Sequence, residues 1–192
     1  EAELVVGHNG ETQVLAGPVG FNVKRLRTGA LPSAPLDEIE RFNTELDELY
    51  GQTAAVRYTI RDARQQLDRL TTMLARMSRP LASGSRRIHA IRAELFEIEE
   101  IVFGLDVQDD IGGYGPMSVS SWLGHARRGV SNSSYGPTAS HRQSVEHAGS
   151  VFEPVKEQLN ELGNVVLPTL TREMQAAGAP WTVGQGIDAN AL

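Results

Sequence analysis

IERFNTELDELYGQTAAVRYTIRDARQQLDRLTTMLARM, residues 39–77, carries the pattern that decides the fold. Apolar and small positions recur at alternating three- and four-residue steps: Ile39, Phe42, Leu46, Leu49, Thr53, Val56, Ile60, Ala63, Leu67, Leu70, Leu74 and Met77. This a/d spacing puts one narrow stripe on one helix face and keeps it turned towards partner helices. No proline lies within residues 36–78, and Gly51 is the only glycine there. At 1.5 Å per residue the helix would be about 65 Å long. A rod of that length predicts a scaffold or interaction architecture rather than a catalytic pocket.

Downstream, Arg79-Pro80 ends the rod and Ser83-Gly84-Ser85 makes a turn, with Ser85 expected to cap a second helix. That helix repeats the seam at Ile88, Ile91, Leu95, Ile98 and Val102, and stops at Gly104. It is long enough to cover only half of the first. Residues 105–137 are rich in Gly, Ser and Asp and read as a long irregular loop, with one short helical candidate near residues 118–128. Connections of this length inside a domain are where local function concentrates. Thr138 then caps a last long helix with its seam at Val145, Ala148, Phe152, Val155, Leu159, Leu162 and Val166. Leu170 and Met174 continue that seam off register. Pro154 and Pro168 lie inside the same helix, and each removes a backbone donor, so the rod is expected to bend. Gly178 closes it, and residues 181–192 read as a coil tail.

Residues 1–27 read as β. Leu4-Val5-Val6 is a short apolar run, His8-Asn9-Gly10 supplies an Asn-Gly turn, and residues 11–15 return with partial alternation. Gly17-Pro18 is expected to break the run, and residues 19–26 alternate as a third strand. Strands with so few large apolar residues cannot make a core unaided. They read as the end of a β-sandwich-like domain or a small hairpin, with residues 28–35 as a linker and residues 36–180 as the helical bundle. The fold class is therefore mainly α: an antiparallel three-helix, coiled-coil-like bundle with a short extra helix and an N-terminal β remnant. Burying each large seam side chain stabilises such a bundle by roughly 1.5–3 kcal/mol before entropy is counted.

Composition narrows the function classes. With 192 residues, 40% apolar and 22% charged, the chain has the balance of a folded protein. The net charge of -6 argues against a dedicated nucleic-acid binder, whose affinity rests on a basic surface. Of the 18 basic residues only Lys24 and Lys156 are lysines, and the arginines are dispersed among acids. No apolar run approaches the roughly 18 residues needed to span a bilayer. The opening Glu1-Ala2-Glu3-Leu4 has no basic leader, and leads us to expect a segment of a longer protein. The absence of cysteine removes disulfides, thiol nucleophiles and thiolate metal sites.

The candidate chemistry is thin. Asp106, Gln108 and Asp110 alternate as in a calcium loop, but Ile111 stands where glycine is needed and Met117 where the bidentate glutamate belongs. His141 and His147 are six apart, so one helix face cannot present both to a zinc ion, and capping or exposure is the default for each histidine. Gly112-Gly113-Tyr114-Gly115 lacks the P-loop lysine. No Gly-x-Ser-x-Gly elbow sets a nucleophile beside a base. We therefore expect no catalytic residue, no cofactor and no metal ligand. The aromatics and arginines grouped in the irregular stretch, Tyr114, Trp122, Arg127, Arg128 and Tyr135, are the candidate ligand contacts, for a carbohydrate or a peptide.

One resemblance covers essentially the whole chain. Leu15-Ala16-Gly17-Pro18-Val19-Gly20-Phe21-Asn22-Val23-Lys24, Leu31-Pro32, the long coil, Tyr135-Gly136-Pro137-Thr138 and Ala176-Ala177-Gly178-Ala179-Pro180-Trp181-Thr182 resemble the C-terminal region of bacterial sortilin-like or BNR-repeat glycosyl hydrolase-like proteins. The resemblance implies a secreted parent, extracellular or periplasmic, with an upstream β-propeller and β-sandwich as partner domains. No Asp-box (Ser-x-Asp-x-Gly-x-x-Trp) occurs here, so hydrolase chemistry of a parent falls on no residue of this chain. The expected function is a non-catalytic interaction, spacer or oligomerisation module, with a homodimer as one way to complete the seam. The alternative is a ligand-binding helical domain that uses the 105–137 loop.

Overall fold

The computed structural model describes residues 1–8, 11–22, 32–79, 81–105 and 116–180. The chain divides into two compact units, Glu1–Pro32 and Ser33–Leu192.

The first unit holds an antiparallel hairpin of β1 (Ala2–His8) and β2 (Glu11–Val19). Gly17-Pro18 does not break the second strand, contrary to the sequence expectation. Register irregularities between Ala2 and Leu4 and between Leu4 and Val5 let β2 run on until Val19 pairs with Ala2. Gly17 makes this bend accessible: its φ is +115°, and a Cβ there would lie 2.9 Å from the Ala2 carbonyl oxygen. Residues 20–22 are not strand, and the rest of the expected third strand lies outside the described residues, as do Asn9 and Gly10. Leu4, Val5, Val6, Val14, Leu15 and Val19 are all exposed. Leu4, Val5 and Val6 are consecutive, so both faces of the hairpin are apolar.

The second unit is the bundle. Its first rod is α1 (Leu36–Arg76), 41 residues, with Asp37 and Glu38 in the first turn favouring the positive end of the helix. Of the twelve seam positions, Phe42, Leu46, Thr53, Val56, Ile60, Ala63, Leu67, Leu70, Leu74 and Met77 are buried, and Ile39 and Leu49 are half-buried. Thr53 is accommodated because its hydroxyl donates to the Leu49 carbonyl at 2.7 Å.

The second rod is built from two pieces. Helix α2 (Gly84–Phe103) runs antiparallel to the C-terminal half of α1, as the Arg92–Asp68 and Arg64–Glu99 ion pairs at 2.7 and 2.6 Å record. Ser85 is not its cap: Ser83 holds that position without a side-chain bond, and the first helical residue, Gly84, lies so close to Leu74 that a Cβ there would sit 2.9 Å from Cδ1. Gly104, at φ +81°, ends it. Helix α3 (Val119–Ser131) then continues antiparallel along the N-terminal half of α1, with Arg127 paired to Asp47 and Gly124 beside Tyr50. Ser118 caps α3 by accepting from the Ser121 N–H at 3.2 Å. The short helix thus supplies the cover for α1 that α2 is too short to provide.

The third rod is α4 (Ala139–Glu161), a π turn (Leu162–Val166) and α5 (Leu167–Ala176). It runs parallel to α1, with Arg142 paired to Glu38 near its start, and antiparallel to α2, with Arg87 paired to Glu173 near its end. Helix α4 continues unbroken through Pro154. The π turn ends two residues before Pro168, and the Leu167 N–H bonds the Leu162 carbonyl, five residues back. A wider turn relieves the clash a proline ring makes with the carbonyl four residues earlier. It also inserts one residue, which is why the buried series runs Leu159, Leu162, Leu167, Leu170, Met174 and leaves Val166 half-buried. Gly178 closes the rod at φ +83°: its N–H bonds the Gln175 carbonyl and the Ala179 N–H bonds that of Met174.

One continuous core joins the three rods, from Phe42 through Leu67, Leu95, Leu123 and Phe152 to Met174. No helix among the described residues is long and apolar enough to cross a membrane.

Candidate functional site

The α3–α4 pair brings together histidines, serines and Trp122. Thr138 begins α4 with a capping box whose partner is a histidine. The Thr138 hydroxyl accepts from the His141 N–H at 3.4 Å, and His141 Nδ1 accepts from the Thr138 N–H at 3.2 Å. That bond requires an unprotonated Nδ1. The His141 ring packs so closely on α3 that a Cβ at Gly129 would sit 2.0 Å from Nε2. His125, one turn back along α3, meets the same ring edge-on with centroids 5.5 Å apart. Burial first, and then the His125 imidazole, lower the His141 pKa below its ordinary 6.5.

Next to this pair a crevice of about 470 Å³ opens between the helices, lined by Trp122, Ser140, Gln143, Ser144, Glu146, His147 and Ser150. On α4 these residues recur at three- and four-residue steps, a polar stripe beside the Val145–Ala148–Phe152 seam. Trp122 is half-buried against the core and meets the His147 ring edge-on, centroids 4.9 Å apart. Ser144 is buried and its hydroxyl donates to the Ser140 carbonyl at 2.9 Å. Ser140 Oγ lies 3.5 Å from His125 Nε2, longer than a nucleophile–base hydrogen bond. Among the described residues no three histidine, aspartate or glutamate side chains converge as a metal set.

The sequence-nominated contacts are not gathered in one cleft. Trp122 lines the crevice. Arg127 turns towards α1, where its guanidinium pairs with Asp47 and stacks 4.3 Å from the Tyr50 ring centroid, with Nε buried and without a hydrogen bond. Arg128 is exposed on α3. Tyr135 sits in the α3–α4 turn, its carbonyl accepting from the Ala34 N–H at 2.8 Å. Tyr114 lies outside the described residues, as do the calcium-like and glycine-rich stretches at residues 106–115. Sequence reasoning missed Ser140, Gln143, Glu146 and Ser150, because a polar stripe on an amphipathic helix reads as solvated surface.

Two further features lie higher in the bundle. A groove of about 230 Å³ beside the π turn is lined by Thr59, Asp62, Gln66, Leu95, Gly163 and Leu167, among others. On α2, burial first, then Glu161 and then Glu97, hold the Glu94 carboxyl above its ordinary 4.5. Compared with known protein families, curated proteins and solved structures, the chain matches none.

Proposed function

We propose that the chain is a non-catalytic interaction, spacer or oligomerisation module, placed at the C-terminus of a secreted, glycosyl hydrolase-like multidomain protein that works in an extracellular or periplasmic setting. The observation that supports this most is the core. Seam side chains fill the bundle interior from Phe42 to Met174, so partners and ligands have only outer surfaces to meet. Interhelical arginine–carboxylate pairs lace the outside: Arg64–Glu99, Arg92–Asp68, Arg87–Glu173, Arg127–Asp47 and Arg142–Glu38. Each adds only about 0–1 kcal/mol at this exposure, but together they pin the register of the rods. The hairpin supports the multidomain part of the reading, since the two strands among the described residues carry apolar side chains on both faces, and such a pair is marginal in water and gains stability inside a larger β assembly.

The test uses the 192-residue chain. It should unfold in one cooperative transition with strongly helical circular dichroism and release no chromophore from aryl glycosides. Glycoside turnover that a point substitution within residues 105–137 abolishes would refute the proposal.

A further inference from the structure

We infer that the α3–α4 crevice is a binding site for a neutral oligosaccharide, with Trp122 as the stacking platform. The inference concerns a surface of the bundle and holds whatever the parent protein is.

Four observations lead to this class of ligand. First, the crevice offers one aromatic wall and an otherwise polar lining, the mixture that lets a pyranose lay its C–H face on an indole while its hydroxyls find partners. Second, the polar groups are of complementary kinds. Gln143 brings a donor and an acceptor, Glu146 an acceptor-only carboxylate, His147 an imidazole, and Ser140 and Ser150 hydroxyls. Third, two of these heads are uncommitted: among the described residues Gln143 and Glu146 make no hydrogen bond or ion pair. This contrasts with Arg127, Arg142 and Arg87, whose charges are spent between helices. Fourth, the lining carries no lysine or arginine and one carboxylate, which disfavours phosphate, sulfate and uronate groups. A quaternary ammonium would want several aromatic faces, and only Trp122 is present. From Ser140 to Ser150 the stripe extends about 15 Å along α4, room for more than one sugar ring.

The experiment reads the indole directly. The chain has two tryptophans, so Trp181→Phe leaves Trp122 as the sole reporter. Its emission is titrated with cellotriose, maltotriose, xylotriose, mannotriose and chitotriose, with tetramethylammonium and inorganic phosphate as controls. At least one trisaccharide should give a saturable change. Glu146→Gln should weaken that binding about tenfold, and Gln143→Ala several-fold, the usual range for losing one charged or neutral hydrogen bond. Both residues are exposed, so helicity and melting should stay as in the parent. No response to any trisaccharide at about 10 mM would overturn the inference, since binding weaker than that falls below any specific recognition. So would binding indifferent to both substitutions, or a saturable response to tetramethylammonium or phosphate instead. Any of these would leave the module reading standing, because that reading is tested by cooperative unfolding and by the absence of glycoside turnover.

Discussion

Deleting Asn164 tests why the third rod contains a π turn. A π turn amounts to one residue inserted into an α-helix, and residues 162–166 hold that insertion, ending two residues before Pro168. Asn164 is exposed, so its removal takes nothing from the core. Without it, the steps from Val155 through Leu159, Leu162, Leu167, Leu170 and Met174 become four, three, four, three and four, an unbroken heptad series. The wide turn that accommodates Pro168 is lost with it, and a proline in a regular helix interior costs about 3 kcal/mol or more. The deletion alone should therefore lower stability by about 3 kcal/mol, or about 6–12 °C in Tm for a unit of this size. Combined with Pro168→Ala, the deletion should return stability close to that of the parent chain. Thermal and urea unfolding followed by circular dichroism separate the cases. Suppose instead that the insertion does not serve the seam. The deletion would then rotate Leu167, Leu170 and Met174, which are 1%, 0% and 0% exposed, by about 100° away from the core. Losing their burial would cost about 5–9 kcal/mol with or without the proline. A double variant no more stable than the deletion alone would refute the reasoning.

Four other outcomes follow from the same packing. Gly136→Ala must hold φ at +91° and place a Cβ 2.9 Å from Ile39 Cγ1, so denaturant titration should register a loss of about 2–4 kcal/mol. Leu95→Ala, at a site 0% exposed where all three rods meet, should cost about 2–5 kcal/mol in the same assay. Glu94, with its folded pKa above 4.5, is more costly to ionise folded than unfolded, and the penalty grows as pH rises from 4.5 through the folded value. Glu94→Gln should therefore raise Tm at pH 7 and make no difference well below pH 4.5. His141 has the opposite shift: the unfolded imidazole takes its proton first, so stability falls as pH drops through 6.5 towards the lower folded value. His141→Gln keeps a capping-box acceptor and should flatten that fall in melts run from pH 7.5 to 5.

The three seams were legible because a/d spacing carries its own direction: a stripe at 3.5-residue period has to face partners whatever they are. Thr138 and Gly104 were legible as helix ends for a similar reason, since the backbone groups they satisfy are local. The slip at Leu170 and Met174 was visible in the sequence, but its form was not. Whether Pro168 bends, breaks or widens a helix is decided by which outcome keeps Leu167, Leu170 and Met174 in the core, and that is a tertiary question. Ser85 is not the cap because the helix already begins one residue earlier, at Gly84, with Ser83 before it. The run through Gly17-Pro18 was misread because pairing with β1 outweighed the local turn signal. The crevice was the least legible feature. Trp122 stood out, but which stripe it would face depended on the α3–α4 crossing, and that crossing depends on Gly129 letting His141 approach.

The chain has no cysteine, so single cysteines report on burial without interference. Thiol labelling of Leu46→Cys, Ile60→Cys and Leu70→Cys, against Tyr58→Cys at a position 61% exposed, tests the bundle core most directly. The three seam thiols should react only through unfolding, at rates orders of magnitude below the Tyr58 thiol. Labelling of any seam thiol as fast as at position 58 would mean that these side chains face water and that the bundle described here is wrong.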